Sequence, residues 1–154
     1  MLWSIYFCIT PWILTLLSGI TEWAVLKKYA GNVSSIDLNE DGTCIIIGKY
    51  NTHVGSNNEE GQIEYYREDS NGYAQKALFN GGSEHSYFGH TTSINNDGTI
   101  FAAGRYNNNS NGQNGVEGGV LIYEYENGLI ADISMNNGGG VDQYQQMGRS
   151  IELN

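Results

Sequence analysis

Hydrophobic residues in this chain come in short runs, each opened by a polar turn and closed by a glycine. The clearest runs are TCIIIGKYN (43–51) and TIFAAGRYN (99–107). An Asp-Gly pair precedes each, Asp41-Gly42 and Asp97-Gly98, and both runs end in Gly, a basic residue, Tyr and Asn. Upstream lie GNVSSIDL (31–38) and GHTTSI (89–94). Downstream come the polar loops NTHVGSNNEEG (51–61) and NNNSNGQNGVEGG (107–119), then the Tyr-rich segments QIEYYRE (62–68) and VLIYEYE (120–126). Asn71-Gly72 and Asn127-Gly128 turn the chain into YAQKALF (73–79) and LIADISM (129–135). Alternating or β-branched apolar segments bounded by Asn, Asp and Gly predict strands, so each copy is expected to hold four. MGRSIELN (147–154) restarts the pattern, with Gly148 matching Gly89.

The pattern repeats with a period of about 56 to 59 residues, and a period of that size marks a repeat architecture. One four-stranded unit leaves an apolar face in water; stacking copies buries it. Ile45, Ile46 and Ile47 are apolar on successive positions, as in a strand covered on both faces. The smaller Ala102 and Ala103 suit a narrow place, as near the axis of a radial array. Four strands at this period fit a propeller blade. The expected fold is all-β: an incomplete β-propeller of two four-stranded antiparallel blades plus the first strand of a third. Blade 1 is placed at about 31–79, blade 2 at about 88–135 and the start of blade 3 at 147–154. WAVLKK (23–28) reads as the last strand of an earlier blade.

Composition supports strands and turns. Gly reaches 21 and Tyr 11, with a single Pro. Glycine supplies turn conformations that other residues resist, and Tyr, Ile and Val favour strands. The formal net charge is −10 with only seven Lys plus Arg. Binding a polyanion needs clustered cations, so nucleic acid is excluded as a partner.

Residues 1–20, MLWSIYFCITPWILTLLSGI, carry no charge. The apolar run Trp12–Leu17 before Ser18 and Gly19 has the form of a secretory signal peptide, and its length also allows a membrane anchor. Lys27 and Lys28 sit on the wrong side for the signal, and Pro11 would kink a spanning helix. Residues 1–21 are therefore assigned as signal peptide or anchor and 22–154 as the repeats, which places the chain outside the cell, secreted or membrane-anchored. Cys8 falls in the apolar stretch and Cys44 opens an apolar strand, the setting of a buried inert thiol. The sequons at Asn32 and Asn108 are of a kind that a chain this rich in Asn throws up by chance.

These residues resemble the FG-GAP propeller repeat of integrin α-chains over about residues 23–154. The resemblance rests on Phe88-Gly89, the two Asp-Gly turns and the strands ending at Gly48 and Gly104. The GAP tripeptide reads Gly48-Lys49-Tyr50 and Gly104-Arg105-Tyr106, and the FG pair lacks its aromatic in Ala30-Gly31 and Met147-Gly148. The resemblance implies a secreted or surface protein. Propellers close with four or more blades, so the chain looks like a piece of one, with open edges that invite self-association.

Two candidate sites follow. Asp37, Asn39 and Asp41 with Gly42 form D-x-N-x-D-G, the opening of an oxygen-ligand calcium loop. Ile45 stands where the integrin-like loop has a further Asp, and the second copy offers Ser93, Asn95 and Asp97. The competing role is a hairpin capped by its own Asp. Lys49, Tyr50, Arg105 and Tyr106 lie at equivalent strand ends beside long loops, where a ring of cations and tyrosines would hold an acidic or sugar partner. His53, His85 and His90 lack metal-ligand spacing, and Glu59-Glu60 reads as a solvated loop pair. No nucleophile elbow or phosphate loop occurs. The expected function is a non-catalytic module that binds protein or glycan, with no cofactor beyond a candidate calcium ion. The alternatives are a fragment of a propeller-fold carbohydrate-active enzyme and an inactive structural remnant.

Overall fold

The computed structural model describes residues 14–16, 24–27, 32–82, 84–105, 118–133 and 148–154, with the backbone alone for the first two segments. All regular elements among them are strands, and no helix there is long and apolar enough to cross a membrane. Two four-stranded antiparallel sheets make up the body. The first is a meander of β3 (Ser35–Leu38), β4 (Cys44–Lys49), β5 (Gln62–Asp69) and β6 (Gly72–Asn80). The second repeats it as β7 (Thr92–Ile94), β8 (Ile100–Arg105), β9 (Gly119–Glu126) and β10 (Leu129–Asp132). Ahead of them β1 (Leu14–Leu16) pairs antiparallel with β2 (Ala24–Lys27). The strand expected at 23–28 thus exists, but its partner comes from the apolar N-terminal stretch. The rest of that stretch lies outside the described residues.

The Asp-Gly turns are built identically. Asn39 N–H donates to Cys44 O, while Asn39 Oδ1 takes the Cys44 N–H at 2.7 Å. Asn95 repeats both bonds with Ile100, the second at 2.8 Å. A side-chain amide therefore stands in for a backbone carbonyl in the last rung of each ladder. Asp41 Oδ1 caps Thr43 N–H at 3.0 Å and Asp97 Oδ1 caps Thr99 N–H at 2.9 Å. Gly42 and Gly98 hold φ of 74° and 75°, where a side chain is strained.

The two sheets pack face to face through one core. Cys44, Ile46, Ile63 and Tyr65 of the first sheet meet Phe88 on the connection and Ile94, Phe101, Ala103 and Tyr123 of the second. Tyr65 stacks on Phe101 with centroids 4.5 Å apart, and its hydroxyl donates to Gly98 O at 2.8 Å. The opposite face of the first sheet gathers Ile45, Ile47 and Tyr66, with Ile36, Leu38 and Tyr73 around them. All three isoleucines of the run are buried, as a strand covered on both faces requires. A continuous apolar run and a repeat thus become two sandwiched sheets.

The seam between sheets also repeats. Gly48 lies against the Gly89 carbonyl and Gly104 against the Gly148 carbonyl, with no room for a Cβ at either. Thr91 Oγ1 donates to Gly148 O at 2.7 Å, as Ser35 Oγ does to Gly89 O at 3.1 Å. Residues 148–154 therefore begin a third copy of the seam. They correct one expectation, because residues 151–154 form no strand. Leu153 N–H donates to Ser93 Oγ at 3.0 Å. A strand is defined by its ladder, and none is formed by this segment among the described residues.

Candidate functional site

At the end of the sheets opposite the Asp-Gly turns, two connections run side by side: residues 50–61 from β4 to β5, and residues 81–91 from β6 to β7. Backbone bonds knit them together. His85 N–H donates to Asn58 O, Tyr87 N–H to Glu59 O and Phe88 N–H to Glu60 O, at 2.8, 3.1 and 3.2 Å. Glu60 is the clip. Its carboxylate is 3 % exposed and accepts from Gly82 N–H at 2.7 Å and Asn57 Nδ2 at 2.8 Å. The Glu59-Glu60 pair is therefore not uniformly solvated: Glu60 holds the loops together and Glu59 faces outward.

Alternation sorts the side chains. Glu60, Ser86 and Phe88 are buried, while Glu59, His85 and Tyr87 stay at the surface. Those three surface residues have φ of 49°, 55° and 51°. Such a backbone costs a non-glycine residue on the order of 1–3 kcal/mol, and residues held this way concentrate at functional sites. Their side chains meet on one atom. Glu59 Oε2 accepts from Tyr87 OH at 2.9 Å and from His85 Nδ1 at 3.0 Å. Glu59 Oε1 has no partner among the described residues. His53 Nδ1 accepts the Glu59 N–H at 3.3 Å, and Glu84 Oε1 lies 3.7 Å from His85 Nε2. The Tyr87 hydroxyl, then His85, hold the Glu59 carboxyl below the usual range.

Four rings run in a row from this carboxylate. Centroids of His85 and Tyr87 are 6.1 Å apart, of Tyr87 and Tyr50 6.0 Å, and of Tyr50 and His90 5.4 Å. All four residues are half-buried. Burial, and then the charge of Arg149, lower the His90 pKa.

The residues singled out by sequence fare differently. Tyr50 belongs to the row. Lys49 is turned into an ion pair, its Nζ 2.8 Å from Glu64 Oε1, with both side chains largely buried; Tyr66 OH donates to the other Glu64 oxygen at 2.8 Å. Arg105 occupies the same place in the second sheet. It is half-buried, its Nε donates no hydrogen bond among the described residues, and burial lowers its pKa against the pull of Tyr123 and Asp132. Tyr106 lies outside the described residues.

Oxygens of Asp37, Asn39 and Asp41 are engaged in hydrogen bonds within the fold. Asp37 Oδ2 faces the second sheet, 2.9 Å from Ile94 N and 3.1 Å from Ser93 Oγ, and Oδ1 caps Leu38 N–H at 2.9 Å. Asn39 Nδ2 donates to Asp41 Oδ1 at 2.8 Å. Among the described residues, no three His, Cys, Asp or Glu side chains are grouped to hold a metal ion.

The histidines, dismissed on spacing, are the ones the fold gathers. The signal in the sequence is the stretch His85-Ser86-Tyr87-Phe88, polar or aromatic outward and small or apolar inward, on a connection rather than a strand. No family model matches the chain, and no curated protein sequence matches it significantly.

Proposed function

We propose that this chain is a non-catalytic repeat module that binds a protein or glycan at the cell surface or outside the cell. In this reading its two sheets are blades of an incomplete β-propeller of the FG-GAP, integrin α-like type, and the N-terminal apolar stretch is its signal or anchor. The recurrence of one seam, Gly48 on Gly89 and then Gly104 on Gly148, supports the blade reading. The row His85, Tyr87, Tyr50 and His90 beside Glu59 carries the binding reading. Half-exposed aromatic rings with a fixed polar group beside them are the make-up of a recognition surface, and loops on a rigid sheet scaffold are its usual place.

The convergence of Glu59, Tyr87 and His85 also favours one second reading, a fragment of a carbohydrate-active enzyme, since proton transfer uses the same groups. Two measurements separate the readings. Fluorescently labelled full chain is expected to bind fixed cells saturably, and Tyr50→Ala and His85→Ala are expected to abolish that binding. No release of chromophore from aryl glycosides is expected. Binding untouched by both substitutions would remove the site, and turnover lost in Glu59→Gln would establish the enzyme.

A further inference from the structure

The charges around the ring row decide what kind of ligand suits it. The sequence alone invites an acidic partner, because Lys49 and Arg105 stand at equivalent strand ends. The structure withdraws the first of these cations. Lys49 Nζ is committed to Glu64 at 2.8 Å, and only 13 % of its side chain is exposed. His85 turns its Nδ1 to Glu59 and its Nε2 toward Glu84. Two outward carboxylates, Glu59 and Glu84, lie beside the His85 end of the rings, on a chain of formal net charge −10, which repels acidic ligands at long range.

A cationic ligand is served little better. Two protein donors already sit on Glu59 Oε2, and Arg149 brings a positive charge to the His90 end. What remains is a hydrogen-bond acceptor, Glu59 Oε1, next to half-buried rings in a line. That combination suits an uncharged ligand with hydroxyl donors on its edge and C–H groups on its face. Successive rings are tilted by 35°, 47° and 56°. No flat ligand covers all of them, but separate residues of a chain can reach Tyr50 and Glu59.

We infer that the loop-end site recognises a neutral glycan, with one pyranose hydroxyl donating to Glu59 Oε1 and a sugar face resting on Tyr50. The inference rests on the binding-module reading above and narrows its ligand class. Uncharged sugars engage such sites through ring contact and through acceptors already held in place, which spares ordering cost.

The test uses the full chain on an array of neutral hexose and N-acetylhexosamine oligosaccharides, with sulfated and sialylated counterparts and an immobilised lysine-rich peptide alongside. Saturable binding is expected for neutral glycans, at least about tenfold weaker in Tyr50→Ala and in Glu59→Gln. Circular dichroism checks that both variants are folded, and Tyr50 lies outside the carboxylate network should Glu59→Gln perturb the loop. Insensitivity of binding to raised salt is the second readout, since a charged ligand would be released. Preferential binding of charged glycans or of the peptide, weakened by Tyr50→Ala, would overturn the neutral class and leave the binding-module reading standing. Neutral-glycan binding indifferent to both substitutions would overturn this site. Absence of binding to every probe would overturn the inference and count against the module reading as well.

Discussion

The carboxylate of Asp37 on β3 accepts the backbone N–H of Ile94 on β7 at 2.9 Å, so one side chain ties the first sheet to the second. Ser93 Oγ adds a bond to the same oxygen at 3.1 Å. One repeat on, Ser93 itself accepts Leu153 N–H. Position 37 of the first copy and position 93 of the second are one seam post, a charged acceptor in one and a hydroxyl in the other. Asp37→Ala leaves the Ile94 N–H without its partner, and a hydrogen bond to a charged group contributes about 1.5–3 kcal/mol. A loss of that size is expected in urea unfolding, with Asp37→Ser losing less. Because these oxygens are engaged, millimolar calcium is expected to leave the midpoint unchanged; a calcium-dependent rise lost in Asp37→Ala would show that the ion displaces the seam bond.

Gly48 and Gly104 are predicted to be intolerant of any side chain. A Cβ on either would run into backbone of the next copy, which cannot swing aside as a side-chain tip can. Overpacking of this kind costs about 1–3 kcal/mol, and here it pries the sheets apart as well. Gly48→Ala should therefore lower the melting temperature more than Gly55→Ala, where nothing lies within 4 Å and only the φ of 60° opposes the change. Equal effects would mean that the close approach is absent in solution.

The pair Lys49 and Glu64 predicts a non-additive double substitution. With both side chains largely buried, Lys49→Met strands the Glu64 carboxylate and is expected to cost about 3–5 kcal/mol. Lys49→Met with Glu64→Gln should recover most of that loss, since the neutral amide still accepts from Tyr66. An additive result would show that Lys49 is solvated, and would restore it as a ligand contact.

Acid should weaken the hairpins. The Thr43 hydroxyl, then its N–H, lowers the Asp41 pKa, and Thr99 does the same for Asp97. A depressed folded pKa gives stability that is present above the ordinary value near about 3.9 and lost as pH falls through the folded value. Stability is expected to decline below about pH 4, less steeply in Asp41→Asn with Asp97→Asn. The alkaline limb has the opposite sign. Burial pushes Tyr73 up to about 12 and raises Tyr65 and Tyr123 further. A raised folded pKa stabilises below the ordinary value, about 10, and that stability is lost as pH climbs through the folded values. Ionisation of these three tyrosines, read as the absorbance change each loses on substitution by Phe, should coincide with unfolding; their ionisation in a still-folded chain would contradict the burial.

Much of the fold was legible because it is local and repeated. The Asp-Gly turns announce themselves by residue type, since only glycine takes their φ without strain. The run Ile45-Ile46-Ile47 is apolar on both faces of a strand, which announces a neighbour on each side. The third-copy strand expected within 147–154 has the right composition, but residues 148–154 form no ladder, which needs a partner strand. Asn39 has a structural role that its spacing does not reveal. It looks like a metal ligand by spacing, yet its amide completes the ladder with Cys44, a role visible only once Asn95 and Ile100 are seen to repeat it.

The sequence by itself determined strands, turns and their recurrence, for these follow from side-chain periodicity and backbone permissiveness within a few residues. Tertiary structure alone decided which charges stay available. Lys49 disappears into Glu64 fifteen residues on, and Glu59 surfaces between His85 and Tyr87 some 26 and 28 residues away. Charge and hydrogen bonding act through space, and the spatial neighbours of a loop residue are set by how the sheets below it stack.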